Sequence, residues 1–318
     1  MRRASHFTEL TAPPQGAVVT IGNFDGVHRG HQALLALAVE RARATGRVPT
    51  VLTFEPHPVR VLAPDLAPPL ICTLEDKRAL LAARGIELLL EQRFDPAFAA
   101  LSPEAFVRTV LVDHLGARAV VVGYDFTFGA RRAGTTVTLA QLGDRLGFDL
   151  DVLAARAVGE GLVASSTRVR AFVLEGKVRG ATLVLGRPFH VNGVIARGQQ
   201  RGRLLGFPTA NLATDSELLP RRGVYACWLD WGEGARPAVA NIGFNPTFGD
   251  GPGQPTVEAH VIDAAGLDLY GRPSRLYFVE RLRDEQKFDG ADALARCIAR
   301  DRDVARGLLA VEQPPCFP

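Results

Sequence analysis

AVVTIGNFDGVHRGH, residues 17–31, joins a short, largely apolar run to ten residues that hold three glycines, two histidines and an aspartate. The run has the length and β-branched content of a buried strand, and a Gly-rich turn passing straight into a helical pattern reads as strand, loop, helix. A helix entered this way leaves its first backbone N–H groups without intrahelical partners, and they carry partial positive charge. Anions dock there. On this reading Gly22 and Gly26 let the backbone approach a ligand, while Gly30 turns the chain so that His28 and His31 face the docking point. Two other readings stand beside it: a metal site using the histidines with Asp25, at a spacing that fits no common zinc pattern, and a plain glycine turn with surface histidines.

The same rhythm repeats through the first half of the chain. Strands are expected at 17–21, 48–54, 86–91, 118–122 and 148–154, and helices at 31–44, 75–84, 103–115 and 137–146, stopped by Gly46, Gly85, Gly116 and Gly147. Ser102, Pro103 and Glu104 form a helix start, because serine caps free N–H groups and proline suits the first turn. Strands alternating with helices imply an α/β fold with a parallel sheet covered on both faces, and ligands then bind beyond the carboxyl ends of the strands. The 22–31 loop lies at that edge. After two short helices at 167–175 and 178–185 the pattern changes to Gly, Pro and alternating runs, which read as antiparallel β-structure with a helical tail near 290–310. The boundary is expected between residues 185 and 186, giving domains 1–185 and 186–318.

The 318 residues suit about two domains, and 47% hydrophobic with 22% charged residues is a folded composition. Thirty-seven basic against 34 acidic residues leave no electrostatic footprint demanding nucleic acid or an anionic membrane. No apolar run approaches the roughly 18 residues that span a bilayer. With scattered Cys72, Cys227, Cys297 and Cys316 read as reduced thiols, the expectation is a cytoplasmic protein.

Further stretches carry chemistry. SSTRVR (165–170) offers a capping serine, either Ser165 or Ser166, then Thr167 and Arg168 at a helix start suited to phosphate, although an ordinary cap would explain one hydroxyl. In GRPFHVNGVIARGQQRGRLLGFPTANL (186–212), Gly198, Gly202 and Gly206 thin the backbone while Arg197, Arg201 and Arg203 supply charge for nucleotide phosphates. An RNA-binding Arg/Gly segment is the alternative, but there is no RGG repeat. Thr209 and Asn211, two apart in an extended stretch, share a side and present hard oxygen ligands suitable for Mg2+; a loop-closing turn is the bland reading. TVEAHVID (256–263) alternates as a strand with Glu258, His260 and Ile262 on one face, leaving Glu258 available as a general base. No Gly-x4-Gly-Lys-Ser/Thr loop is present, so any ATP site uses another cradle.

His28-Arg29-Gly30-His31 resembles the His-x-Gly-His signature of nucleotidyltransferases, in the form found in prokaryotic bifunctional riboflavin kinase/FAD synthetases. TFEPHP (53–58), VGYDFTFGARRAG (122–134), SSTRVR, the 186–212 stretch, GVYAC (223–227), NIGFNPTF (241–248), DLYGR (268–272) and LRDEQKF (282–288) extend the resemblance in family order from about residue 15 to 310. It implies an N-terminal Rossmann-like parallel-sheet domain and a C-terminal six-stranded antiparallel β-barrel with a C-terminal helix. It implies ATP as co-substrate in two steps, riboflavin to FMN and FMN to FAD, with Mg2+ in both. By the same resemblance His28, His31 and Glu258 are catalytic. Gly22, Asn23, Phe24, Gly30, Ser165, Ser166, Thr167, Arg168, Gly198, Arg201 and Arg203 bind ATP or phosphate, and Thr209 and Asn211 bind the metal. Phe54, Pro56, Asp125 and Phe128 are flavin candidates, with Phe126 and Phe128 equally readable as core. Lys177 and Gln199 stand where the family more often has acidic residues. Two other functions remain open, a different adenylyl- or cytidylyltransferase acceptor and a flavin sensor without turnover.

Overall fold

The computed structural model describes residues 1–13, 15–159, 161–197, 207, 209–244, 255–264 and 267–318. The chain divides into two compact units. One comprises Met1–Pro69, Thr73–Ala164 and the terminal Pro318; the other comprises Leu70–Cys72 and Ser165–Phe317.

The first unit is built on a six-stranded sheet of β1 (Arg2–Ala4), β2 (Ala17–Ile21), β3 (Val48–Glu55), β4 (Leu88–Arg93), β5 (Ala117–Gly123) and β6 (Asp149–Leu153), in spatial order β1-β4-β3-β2-β5-β6. Every neighbouring pair is parallel. The order runs outward from β2 in both directions, so the crevice beside β2 is the switch point at which such sheets bind ligands. Between the strands lie α1 (Arg29–Thr45), α2 (Pro58–Leu62), α3 (Leu74–Ala83), α4 (Pro96–Ala99), α5 (Pro103–Ala105) and α6 (Thr136–Leu146).

All five residues of β2 are buried because the sheet is covered on both faces. Val18, Ala119 and Val121 pack against Ala38 and Ala42 of α1 on one side. Val19, Ile21, Val120 and Val122 join Val107, Val110, Leu111 and Leu139 in the core on the other. Ser102 starts α5 as its residues dictate, its Oγ accepting the Ala105 N–H at 3.1 Å. Two expectations are revised. The helix foreseen at 103–115 has α form only to Ala105 and continues in wider π turns over Phe106–His114. The edge strand β1 was not foreseen, because three residues are too short to show a period.

A two-stranded hairpin, β7 (Ala157–Val158) and β8 (Leu162–Val163), ends the first unit. The second begins with α7 (Ser166–Leu174) and α8 (Val178–Leu185), which pack on each other, α8 also lying against the barrel. That barrel closes in the order β10-β13-β12-β11-β14-β9, with β9 (Phe189–Ala196), β10 (Ala210–Ala213), β11 (Gly223–Asp230), β12 (Arg236–Phe244), β13 (Pro255–Val261) and β14 (Pro273–Arg283). All six pairings are antiparallel. Small barrels of this kind fill their interior with side chains. Tyr225, Cys227, Leu229, Ala240, Ile242, Val257, Ala259 and Phe278 are buried here, while alternate residues Val224, Ala226, Trp228, Val239 and Ile262 meet Ala305 and Leu309 of the C-terminal helix, Ala291–Leu309. The four cysteines are free thiols, and burial pushes the Cys227 thiol well above its usual range.

The last strand and the C-terminal helix are tied by a fork. Arg283 Nε donates to both carboxylate oxygens of Asp301 at 3.0 Å, and its terminal nitrogen donates at 2.7 Å, with both side chains largely buried. Removing one partner of such a pair strands a charge. Asp301→Ala should therefore destabilise this unit by about 3 kcal/mol, read in urea by tryptophan fluorescence, since both tryptophans, Trp228 and Trp231, lie in it.

Candidate active sites

The 22–31 loop is held in a shape the chain rarely adopts. Phe24, Gly26 and Val27 have φ of 50°, 75° and 41°, and left-handed conformations of non-glycine residues concentrate at functional sites. Phe24 and Val27 are buried, the former completely. The loop delivers His28 as the N-cap of α1, its Nδ1 accepting the backbone N–H of His31 at 3.3 Å. With Nδ1 an acceptor, the neutral ring carries its hydrogen on Nε2 as a donor. The His28 and His31 rings stack at 3.6 Å with 19° between planes, and the Phe24 ring lies 5.1 Å from His31.

This arrangement revises two parts of the sequence reading. The helix starts at Arg29 and not residue 31, so Gly30 lies inside its first turn and does not turn the chain. Its role is space: a Cβ there would sit 3.1 Å from His28 Cε1 and 3.2 Å from the Ala164 carbonyl. Ring-on-ring stacking also does not aim two nitrogens at one ion, which favours the phosphate reading over the metal reading.

The neighbouring motif converges on the same edge. Gly22 N–H donates to the Leu52 carbonyl at 3.1 Å, Thr53 Oγ1 donates to the Asn23 carbonyl at 3.1 Å, and the Asn23 carboxamide meets His57 Nε2 at 3.2 Å. His57 is a contact the sequence reading did not single out; its signal was its place between two prolines. Pro56 precedes it in the same turn, and half-buried Phe54 packs with Phe94 and Phe98. β5 pairs with β2 and so brings residues 122–134 alongside. There Asp125 is exposed, whereas Phe128 is buried between Phe106 and Phe126, which is the core reading of that residue.

His31 is electrostatically unusual. Burial, then the adjoining His28, then Lys77 hold its imidazole well below the ordinary histidine range, and its Nδ1 is buried with no hydrogen-bond partner among the described residues. It is thus neutral at pH 7 and able to donate without carrying charge.

Ser165 proves to be the capping serine of α7, its Oγ accepting the Arg168 N–H at 3.2 Å. Ser166, Thr167 and Arg168 form the first turn, Thr167 and Arg168 exposed. These four belong to the second compact unit. Lys177 pairs with Glu175 at 2.7 Å.

In the barrel, register assembles a second group. Glu258 of β13 stands opposite Asn211 of β10 on one side and opposite Asn241 of β12 on the other. Directly opposed residues share a face with Cβ atoms about 5 Å apart, so a carboxylate is flanked by two carboxamides. Thr209 lies two residues before Asn211. The opposite face of β13, with Val257, Ala259 and Val261, is buried. His260 is nearly buried and meets Phe207 edge-on at 5.5 Å. Asn241 also donates to Glu285 Oε1 at 3.4 Å. Its part was hidden in the sequence, since only strand register relates it to Glu258. Gly198, Arg201, Arg203 and Gln199 lie outside the described residues.

Comparison with known proteins matches a different family to each half of the chain. The FAD synthetase family matches residues 10–168 and the riboflavin kinase family residues 185–309. A bifunctional riboflavin kinase/FMN adenylyltransferase of Escherichia coli K12 is 40% identical over 304 residues, covering 95% of this chain and 96% of its own. The protein of that name from Bacillus subtilis is 35% identical, covering 91% of each chain. A crystal structure described as a macrolide-efflux protein from Streptococcus pneumoniae has a TM-score of 0.86 at 30% identity, covering 96% of this chain and 98% of that one. No helix among the described residues is long and apolar enough to cross a membrane.

The depressed affinity of His31 for protons has a definite sign. The unfolded chain, with an ordinary imidazole, takes up its proton first, so this contribution to stability is complete above about pH 6.5 and is lost as pH falls, by up to about 1.4 kcal/mol per unit. Titration of ring-labelled His31 by NMR should find it neutral at pH 6, with His31→Gln flattening the acid limb of the stability profile.

Proposed function

The chain belongs to the bifunctional riboflavin kinase/FMN adenylyltransferase family, and from that premise we propose how its two residue groups divide the work. The protein uses ATP to phosphorylate riboflavin to FMN and then to adenylylate FMN to FAD with release of pyrophosphate. In our reading residues 1–185 carry the second step and residues 186–318 the first. The intervals matched by the two families, 10–168 and 185–309, support that division.

The adenylyl-transfer assignment is carried by the capped, stacked histidine pair at the switch point of the parallel sheet. There a phosphate oxygen of FMN attacks the α-phosphate of ATP, and the bond to the departing pyrophosphate breaks. Charge shifts onto phosphate oxygens, so the protein's contribution is positioning and oriented donors. His28 and His31 donate to those oxygens, and the N–H groups of α1 and the Gly22, Asn23, Phe24 and Gly30 backbone line the cradle; the family resemblance also assigns phosphate contacts to Ser165, Ser166, Thr167 and Arg168. Phe24, fully buried, acts through its backbone and by holding His31. Phe54, Pro56 and Asp125 remain our flavin contacts; Phe128 supports them from the core.

For the kinase step, Glu258 takes the proton from the ribityl 5′-hydroxyl as that oxygen attacks the γ-phosphate. Gly198, Arg201 and Arg203 bind the nucleotide phosphates. The hydroxyl of Thr209 and the carboxamide of Asn211, neutral hard oxygens next to a carboxylate, are a donor set suited to Mg2+. When bound, the ion would neutralise phosphate charge. We place the enzyme in the cytoplasm, a reading supported by its free thiols.

Purified protein given riboflavin, ATP and Mg2+, with flavins resolved by chromatography, tests the assignment. Double substitution His28→Ala and His31→Ala should halt the sequence at FMN. Glu258→Ala should slow FMN formation by about 10²–10⁴-fold yet leave FAD synthesis from supplied FMN intact. Loss of both activities in either folded variant would overturn the division.

A further inference from the structure

Lysine is seldom buried without a reason, and Lys77 is. Only 11% of its side chain is exposed, on the face of α3 that also buries Leu80 and Leu81. Thr73 fixes the start of that helix, its Oγ1 accepting the Asp76 N–H at 3.1 Å. The helix packs on the Asp25–Val27 turn. Its position therefore follows the loop that carries the histidine pair.

The direction of the side chain is the second observation. The Lys77 ammonium is paired with Glu55 at 3.9 Å. Glu55 is the last residue of β3, the strand beside β2, so the ammonium stands at the carboxyl edge of the parallel sheet, next to the strand that feeds the 22–31 loop. It is close enough to His31 to disfavour protonation of that ring. The Glu55 carboxylate is itself 40% exposed, and at 3.9 Å the pair lies at the limit of a salt bridge. A largely buried cation so loosely neutralised has unspent attraction for an anion.

We infer that Lys77 is a cationic contact for the polyphosphate in adenylyl transfer, held beside the histidine pair by Glu55 until the nucleotide supplies a stronger counter-charge. The inference rests on assigning that reaction to the 22–31 loop. His28 and His31 supply directional donors, whereas the ammonium supplies net charge. A fixed cation matters most where negative charge moves from the α-phosphate onto pyrophosphate.

A merely structural ion pair and a phosphate contact predict different signs. If the pair only staples β3 to α3, Lys77→Met and Glu55→Gln should harm stability and activity alike. If Lys77 binds phosphate, Lys77→Met should lower kcat for FAD formation by about 10²-fold and raise KM for ATP, with Lys77→Arg recovering most of the rate. Glu55→Gln, which removes a competing carboxylate, should instead lower KM for ATP. Riboflavin phosphorylation by the same preparations reports an intact chain, and the His31→Ala variant serves as the reference. Loss of FAD formation in His31→Ala together with a Lys77→Met rate within twofold of wild type would overturn the role of Lys77 alone. Full FAD formation by His31→Ala would overturn the site assignment beneath it. Equal losses in Lys77→Met and Glu55→Gln, with parallel falls in melting temperature, would reduce the pair to a staple.

Discussion

One hydrogen bond, from the His31 backbone N–H to His28 Nδ1, does several things at once in the first unit. It begins α1, satisfying a donor that the helix could not satisfy internally. It chooses the tautomer of His28 and turns its ring so that His31 stacks against it. It also explains the glycine between them, since any side chain at position 30 would press on the His28 ring. The start of the helix, the stacked histidine pair and the glycine between them are therefore one feature.

The second unit reaches its chemistry by a different route. No helix start is involved; the pairing of β10, β13 and β12 lines up Asn211, Glu258 and Asn241 across three strands. The alternation along β13 separates a packed interior from the face that carries Glu258, so the barrel core can be optimised for density without touching the carboxylate. A slip of one residue in that register would exchange the two faces and bury Glu258. The C-terminal helix, fastened through Arg283 and Asp301, packs along the outer wall and opposes such a slip.

Much of this was legible in the sequence, for reasons that vary with the element. β2 and β5 were plain because strands buried on both faces become uninterrupted β-branched runs. The parallel sheet followed from the alternation, and Glu258 from a period of two. What escaped notice depended on distant chain. The role of Asn241 exists only through its register with β13. The contact of His57 with Asn23 joins residues separated by a whole helix and strand. Lys77 had left a trace, since it falls on the same helical stripe as Leu80 and Leu81, but a single lysine in an amphipathic pattern reads as solvated. Gly30 was noticed for the wrong property, flexibility, when the fold uses its lack of bulk. The helix boundary was misplaced because a capping histidine is unusual beside the Ser, Thr, Asp and Asn that commonly begin helices.

Val27 carries a consequence of its own. It is β-branched, almost wholly buried, and sits at φ 41°, a conformation that glycine would adopt with far less strain. A glycine there would relieve torsional energy of about 1–3 kcal/mol and free the backbone just ahead of His28. The same change would strip buried methyl groups from the turn and leave a void beside the histidine cap. Packing and torsion therefore pull in opposite directions at this one residue, and the loop keeps the bulk and bears the strain.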